Sequence, residues 1–274
     1  MALRLSALRD RAYADFLMPS RLPRYEQLLT RFLDAGYAIT SVDRWWQSLT
    51  GAGVRIGEPV LVLRHDVDTD PGTARRMWDI DRSLGIPTSF FFRLTTLDVP
   101  LMNAISGSGG HASYHYEELA EVIKRHRLHD TLEARRHLPE ARRAFRANLR
   151  ALRGRTGLAL DIVASHGDFA NRRTGVPNWE MLADPEFRND LGITLEAYDR
   201  AMMDQVTSRH ADTLYPRFWV GEAPEAALAR RDPRVYLLVH PRHWRVARLV
   251  NATDDARRAW QSVRYGLPVP GPRR

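Results

Sequence analysis

From Val60 onward, short apolar runs alternate with amphipathic stretches of helical period, the pattern of βαβ units feeding a parallel sheet or barrel. Seven runs read as strands: Val60 to Arg64, Thr88 to Leu94, His111 to Tyr114, Asp161 to Ser165, Thr194 to Ala197, Leu214 to Trp219 and Val235 to Val239. Helices are expected near Gly72 to Leu84, Glu117 to Arg127, Leu132 to Arg153 and Pro224 to Arg230. Ahead of them, Leu22, Tyr25, Leu28, Leu29, Phe32 and Leu33 form an apolar stripe that Gly36 stops, and Val42 to Leu49 predicts a short helix carrying Trp45 and Trp46. Gly51 to Pro59 is a turn-rich connector. The predicted organisation is an N-terminal helical segment over 1–58 packed on an α/β domain over 59–266, with a Pro/Gly/Arg tail over 267–274 expected to be flexible.

Length and composition narrow the class. A chain of 274 residues, 44% hydrophobic and 27% charged, has ordinary globular composition and can bury one large core. Charges thread the first ten residues, so no signal-peptide core can be drawn there, and no run approaches the ~18 apolar residues of a membrane helix. The expected location is the cytoplasm. The absence of cysteine excludes disulfides, thiol catalysis and thiolate ligands together, so any metal must sit on His, Asp or Glu.

A net charge of +8 raises the question of a polyanionic partner. Much of the surplus lies between Arg135 and Arg155, where Leu138, Ala141, Phe145, Leu149 and Leu152 recur at helical spacing among eight arginines. That is the pattern of a solvated helix face, and no specific nucleic-acid partner is expected.

The chemistry gathers at strand ends. Leu61-Val62-Leu63 runs into His65, Asp66 and Asp68, and alternation places Arg64, Asp66 and Asp68 on one face with His65 on the other. Two carboxylates converging on one spot call for a divalent cation; Asp70 or Thr69 instead suits the cap of the following helix. His111 and His115 share strand parity, and Glu118 follows His115 by three residues, so imidazole and carboxylate together suit Zn²⁺ or a similar ion. His166 follows the Asp161 to Ser165 run and His240 the Val235 to Val239 run. A parallel barrel brings such ends together. His126, His129 and His137 fall in the charged helical region and are assigned to the solvated surface.

In order, Arg64-His65-Asp66-Val67-Asp68, Thr88-Ser89-Phe90-Phe91-Phe92, Gly110-His111-Ala112-Ser113-Tyr114-His115-Tyr116-Glu117-Glu118, Ser165-His166-Gly167 and Leu237-Leu238-Val239-His240-Pro241 resemble the motif series of the NodB-like polysaccharide deacetylase superfamily, over roughly residues 22 to 241. The resemblance implies a distorted or incomplete (β/α) barrel of about seven parallel strands. It also implies a metal-dependent hydrolase of a non-peptide C–N bond, removing the N-acetyl group of an amino sugar in a saccharide or its precursor. Asp66 matches the general base, Asp68 and His115 the ligands of a divalent metal such as Zn²⁺, and His240 the acid that protonates the leaving amine. Arg64, His111 and Trp219 are the expected substrate-binding side chains.

The sequence departs from the family's pattern at three places. Val67 separates the two aspartates, which leaves the base and ligand roles of Asp66 and Asp68 exchangeable. Leu119 stands where the second metal histidine is usual, so Glu118 or His166 is expected as third ligand. Ser165-His166-Gly167-Asp168-Phe169 replaces the usual Arg-Pro stretch. Leu119 also favours a competing expectation, a catalytically weakened relative that binds carbohydrate or a protein. The His65-Asp66 pair prompts a His-Asp phosphohydrolase, which the strand character of Val60 to Leu63 disfavours.

Overall fold

The fold was obtained as a computed structural model, which describes residues 9–53 and 55–266; the tail expected over 267–274 lies outside them. Its strands are β1 (Ala38–Thr40), β2 (Val60–Val67), β3 (Ser89–Phe92), β4 (His111–Tyr116), β5 (Ile162–Ser165), β6 (Leu195–Glu196), β7 (Ser208–Ala211) and β8 (Arg234–Val239). All pair in parallel. The order β6-β5-β4-β3-β2-β8-β7 makes a curled α/β half-barrel of seven strands, with no pairing between β6 and β7 among the described residues.

β2 organises the sheet. It is buried at every position, as a parallel strand covered on both faces must be. β8 runs beside it from Val60 to His65. The opposite edge is shared end to end: β1 pairs with Val60, Leu61 and Val62, and β3 with Arg64 through Val67. β1 is a strand the hydrophobic pattern does not single out, because three residues between two helices are too few to show a period.

Alternation divides the core in two. Val60, Val62, Phe91, Ile162, Ala164, Leu195 and Tyr236 fill the barrel interior, and Val42 and Trp45 of the helix Val42–Thr50 pack among the first of them. Leu61, Leu63, Phe90, Phe92, Val163, Val235 and Leu237 face outward, against Tyr25, Leu29 and Phe32 of the N-terminal helix Leu22–Asp34 and against Leu119, Ile123 and Phe145 of later helices.

Two expected elements are corrected. Leu214 to Trp219 is not a strand: Pro216 has no N–H to give a ladder, and the segment closes as a loop with Thr213 N donating to Phe218 O at 2.7 Å. The seventh barrel strand is Ser208–Ala211, a polar run that pairs only with β8 at the open side and so carries no buried alternation. Leu132 to Arg153 is not one helix but Thr131–Arg136 and Leu138–Thr156, meeting at His137. Pro139 cannot continue the hydrogen-bond ladder of the first helix but suits the opening turn of the second. As expected, Ala141, Phe145, Leu149 and Leu152 form the buried face of the latter, while Arg142 and Arg146 pair with Asp184 and Asp190. Further helices include Pro71–Ser83, capped by Asp70, and the C-terminal Arg248–Gly266.

Candidate active site

Strand parity continues past the strand ends, and this builds the site. Asp66 and Asp68 follow the inward residues of β2; Arg93, Glu117, His166 and His240 each lie two positions beyond the inward-facing Phe91, His115, Ala164 and Leu238. All therefore collect at the C-terminal mouth of the barrel, where parallel α/β folds bind ligands.

Arg64 is fully buried and donates from Nε and Nη2 to the two carboxylate oxygens of Asp66, both at 2.7 Å. Its guanidinium also lies 4.6 Å from the ring centre of Tyr198. Burial would raise the Asp66 carboxyl, but the adjoining Arg64 and His115 hold it below its ordinary value. His65 turns to the opposite face, as alternation demands. There its Nδ1 meets Ser89 O at 3.0 Å, its ring stacks on Phe90, and its Nε2 lies 2.7 Å from Tyr25 Oη, which also contacts Asp81 Oδ1 at 2.5 Å.

Asp68 is the point of convergence. Its Oδ1 lies 3.2 Å from His115 Nε2 and its Oδ2 3.6 Å from His166 Nε2. Each imidazole is turned by the partner of its other nitrogen. His115 Nδ1 lies 3.0 Å from the carbonyl of Ala164, which can only accept, so Nδ1 carries the proton and Nε2 presents a lone pair. His166 Nδ1 faces Glu117 Oε2 at 3.3 Å, and Glu117 is gripped by Arg93 through Nε at 3.0 Å and Nη2 at 2.7 and 2.6 Å. Arg93 Nη1 also donates to the backbone carbonyl of Asp68 at 3.0 Å. Burial would raise Asp68, yet the charge of His166 and the adjoining imidazole of His115 pull it well below the usual range. Burial would likewise lower His166, and Asp68 and Glu117 raise it instead.

His240 stands across from this group, its Nε2 4.0 Å from Asp68 Oδ2. Asp212 fixes it: His240 Nδ1 lies 2.6 Å from Oδ1, and the His240 backbone N–H donates to Oδ2 at 2.9 Å. Trp244 Nε1 donates to the same Oδ2 at 2.8 Å, and His243 Nδ1 lies 3.0 Å from Oδ1. Burial disfavours a charged His240, but the Asp212 carboxylate overrides it and pushes the imidazole up to about 9.

Asp66, Asp68, His115, His166, His240 and Arg64 are thus brought together. Glu118 is not. Its Oε1 accepts from Tyr114 Oη at 2.5 Å and Asn148 Nδ2 at 2.9 Å, and burial lifts its pKa to about 7. His111, expected as a substrate contact, opens β4 and lies at the far end of that strand from His115, with its Nδ1 3.2 Å from Ser89 Oγ. Trp219 is half-buried at the rim, packed on Phe218 and Trp244 and bridged to Asp212 through the backbone. Arg93, Glu117 and Asp212 were not singled out by the sequence reading. The parity rule would have found the first two; Asp212 follows the polar run that hides β7.

The donor set fits a divalent cation. The Nε2 atoms of two imidazoles flank one carboxylate, and the buried Asp68 Oδ1 has no hydrogen-bond donor. Among the described residues, the groups whose donor atoms all lie within 4.8 Å of one another are Asp212–His240–His243, Glu117–His166–Asp168 and His126–His137–Glu140; Asp68–His115–His166 is a wider set. In the first, both imidazoles are spent on one carboxylate oxygen; in the second, Glu117 is committed to Arg93 and Asp168 to a helix cap and Lys124. A cavity of about 350 Å³ opens onto Asp68, lined by Thr69, Thr96, Leu249, Val250 and Arg257. A larger one of about 980 Å³, with Trp46, Trp179 and Tyr198 on its walls, lies beside β6 and contains none of the converging ionisable groups.

No protein-family model matches this chain, and no curated protein matches it. Among solved structures it is similar to a mutant of a CE4 family pseudoenzyme with restored enzymatic activity, at 12% identity and a TM-score of 0.38. The match covers 76% of this chain and 66% of that one, just under two thirds of its length. At that level the likeness assigns no function.

Proposed function

We propose that this protein is a metal-dependent hydrolase of a non-peptide C–N bond that deacetylates an amino sugar in a saccharide or its precursor. The observation that carries this reading is Asp68, with His115 and His166 Nε2 at 3.2 and 3.6 Å and the Asp212-bound His240 at 4.0 Å. Asp68, His115 and His166 would hold Zn²⁺ or a similar divalent ion, which lowers the pKa of a water and polarises the substrate carbonyl.

The chain's own residues then divide the proton transfers. Asp66, oriented by Arg64, takes the proton of the attacking water as its oxygen bonds to the acyl carbon. His240, protonated at neutral pH and steered by Asp212, gives its Nε2 proton to the nitrogen as the C–N bond breaks, so acetate and a free amine leave. Trp219 stands half-buried at the rim beside Asp212, which suits the face of a sugar ring, while Arg64 is buried behind Asp66 and serves to orient it.

One observation favours the competing reading of a weakened, ligand-binding relative: Arg64 occupies both oxygens of Asp66 and makes it a poor base. Zn²⁺-loaded protein is to be incubated with chitooligosaccharides and with a nucleotide-activated N-acetylamino sugar, and amine release measured for wild type, Asp66→Asn and His240→Ala at equal metal content. Turnover by wild type, lowered on the order of 10² to 10⁴ in both variants, is expected. Metal-bound wild type that releases no amine from any of them would transfer the case to the binding protein.

A further inference from the structure

The C-terminal helix Arg248–Gly266 is built inside out. Its buried face is polar over the first two turns, where Asn251 donates from Nδ2 to the carbonyl of Asp15 at 3.0 Å and Asp254 accepts from Arg242, Arg257 and Arg258 at 2.9, 2.8 and 2.7 Å; only Tyr265, on the last turn, enters the apolar core. Its outward stripe is apolar. Leu249, Ala256, Trp260 and Val263 follow one another at helical spacing, with Leu249 85%, Trp260 64% and Val263 57% exposed. A helix of a water-facing surface has the reverse polarity, and apolar side chains exposed in a row mark a surface that meets something.

That surface continues in two directions. Leu249 and Val250 line a shallow groove of about 570 Å³ with Phe16, Leu17 and Met18, in which Leu17 is 68% exposed. The same two residues line the cavity that opens onto Asp68. Around the apolar stripe the charge is cationic: Arg245 and Arg248 border the groove and Arg264 is exposed on the last turn, while Arg257, at the cavity, is paired with Asp254. The acids of the helix are taken up, Asp254 by the three arginines above and Asp255 by Arg11 and Arg242.

A second copy of this chain docking here would set arginines against arginines, which costs binding. An anionic bilayer meets both parts of the surface at once, with lipid phosphates at the arginines and the acyl boundary at the leucines, valine and tryptophan. We propose that this face docks the protein peripherally on an anionic lipid bilayer, so that the Asp68 cavity opens at the membrane surface. None of the described helices is long and apolar enough to cross a membrane, so the helix lies on the bilayer. The docking stands on the surface itself and is independent of the hydrolase reading.

The test is sedimentation of the full chain with vesicles of phosphatidylcholine alone and of an equimolar mixture with phosphatidylglycerol. Binding to the mixed vesicles, weakened by added salt, is expected. The double variant Leu249→Ser with Trp260→Ser, which alters only exposed positions and adds no charge, should lose at least about tenfold in bound fraction at an unchanged melting temperature. Should that variant melt early, Leu249→Thr alone is compared instead. Three results would each overturn the docking: no binding of wild type to mixed vesicles, undiminished binding of the folded variant, or a wild-type dimer that the variant converts to monomer.

Discussion

His166 Nε2 lies 3.6 Å from the carboxylate of Asp68, and the other nitrogen of that ring lies 3.3 Å from Glu117 Oε2. A histidine from the end of β5 thereby completes the cluster that β2 and β4 begin. We expect Asp68→Ala, His115→Ala and His166→Ala each to lose most bound metal, while Glu118→Gln keeps it because Tyr114 and Asn148 occupy that carboxyl elsewhere. Atomic absorption on the purified variants reads this directly. Stoichiometric metal in His166→Ala would remove it from the ligand set.

Leu119 cannot be converted into a ligand. It is fully buried in the outer core with Val122 and Ile123, on the far side of the wall from Asp68. Leu119→His should cost about 2–4 kcal/mol in denaturant unfolding, from lost packing and a buried imidazole without a partner, and leave metal affinity unchanged. A gain in affinity would show that the helix Glu118–His126 can turn its first residues inward.

Asp212 sets the alkaline limit of His240. The protonated imidazole is available below about 9 and is lost as pH rises through that value. With Asp212→Asn the largest influence opposing burial is gone and only the more distant Asp68 and Asp66 remain, so the pKa falls. The basic limb of kcat/KM should move down by at least about one pH unit, with metal content unchanged. An unmoved limb would assign it to another group.

The network on the other side of β2 predicts a stability effect. Tyr25 Oη touches both His65 Nε2 and Asp81 Oδ1, and one hydroxyl proton cannot serve both. Burial places a further proton on Asp81, raised from 3.8 to about 7, and keeps it off His65, lowered from 6.5 to about 3. Between about 4 and 6.5 the folded pair holds one proton on Asp81 and the unfolded pair one on the histidine, so their contributions to the pH slope cancel. Asp81→Asn leaves His65 alone. The unfolded state then binds the extra proton, and stability should fall by about 1.4 kcal/mol per unit as pH drops below 6.5 toward 3. Urea titrations across that range measure it; a slope equal to that of wild type would show that His65 is charged in the fold.

Much of this was legible in the sequence where two periods overlapped. Strand parity alone put Arg64, Asp66 and Asp68 on one side and His65 on the other, and six of the seven expected strands occur in place. What failed was local. Leu214 to Trp219 looked like a strand because it is apolar, while the actual β7 looked like a loop because an edge strand at the barrel's open side has little to bury. Hiding β7 also hid Asp212. Glu118 and His111 had suitable chemistry at suitable spacing, but one turned to Tyr114 and the other sat at the wrong end of its strand, and spacing carries no information on either.

β2 pairs with β8 from Val60 to His65, across most of the length of the chain. During synthesis, Asp66 and Asp68 therefore leave the ribosome long before the strand that must lie beside them, and one edge of β2 waits unpaired while the intervening helices form. Seating β8 beside β2 and placing His240 across from Asp68 are the same late event. A nascent chain stopped short of Val239 would carry Asp68, His115 and His166 but no acid opposite them.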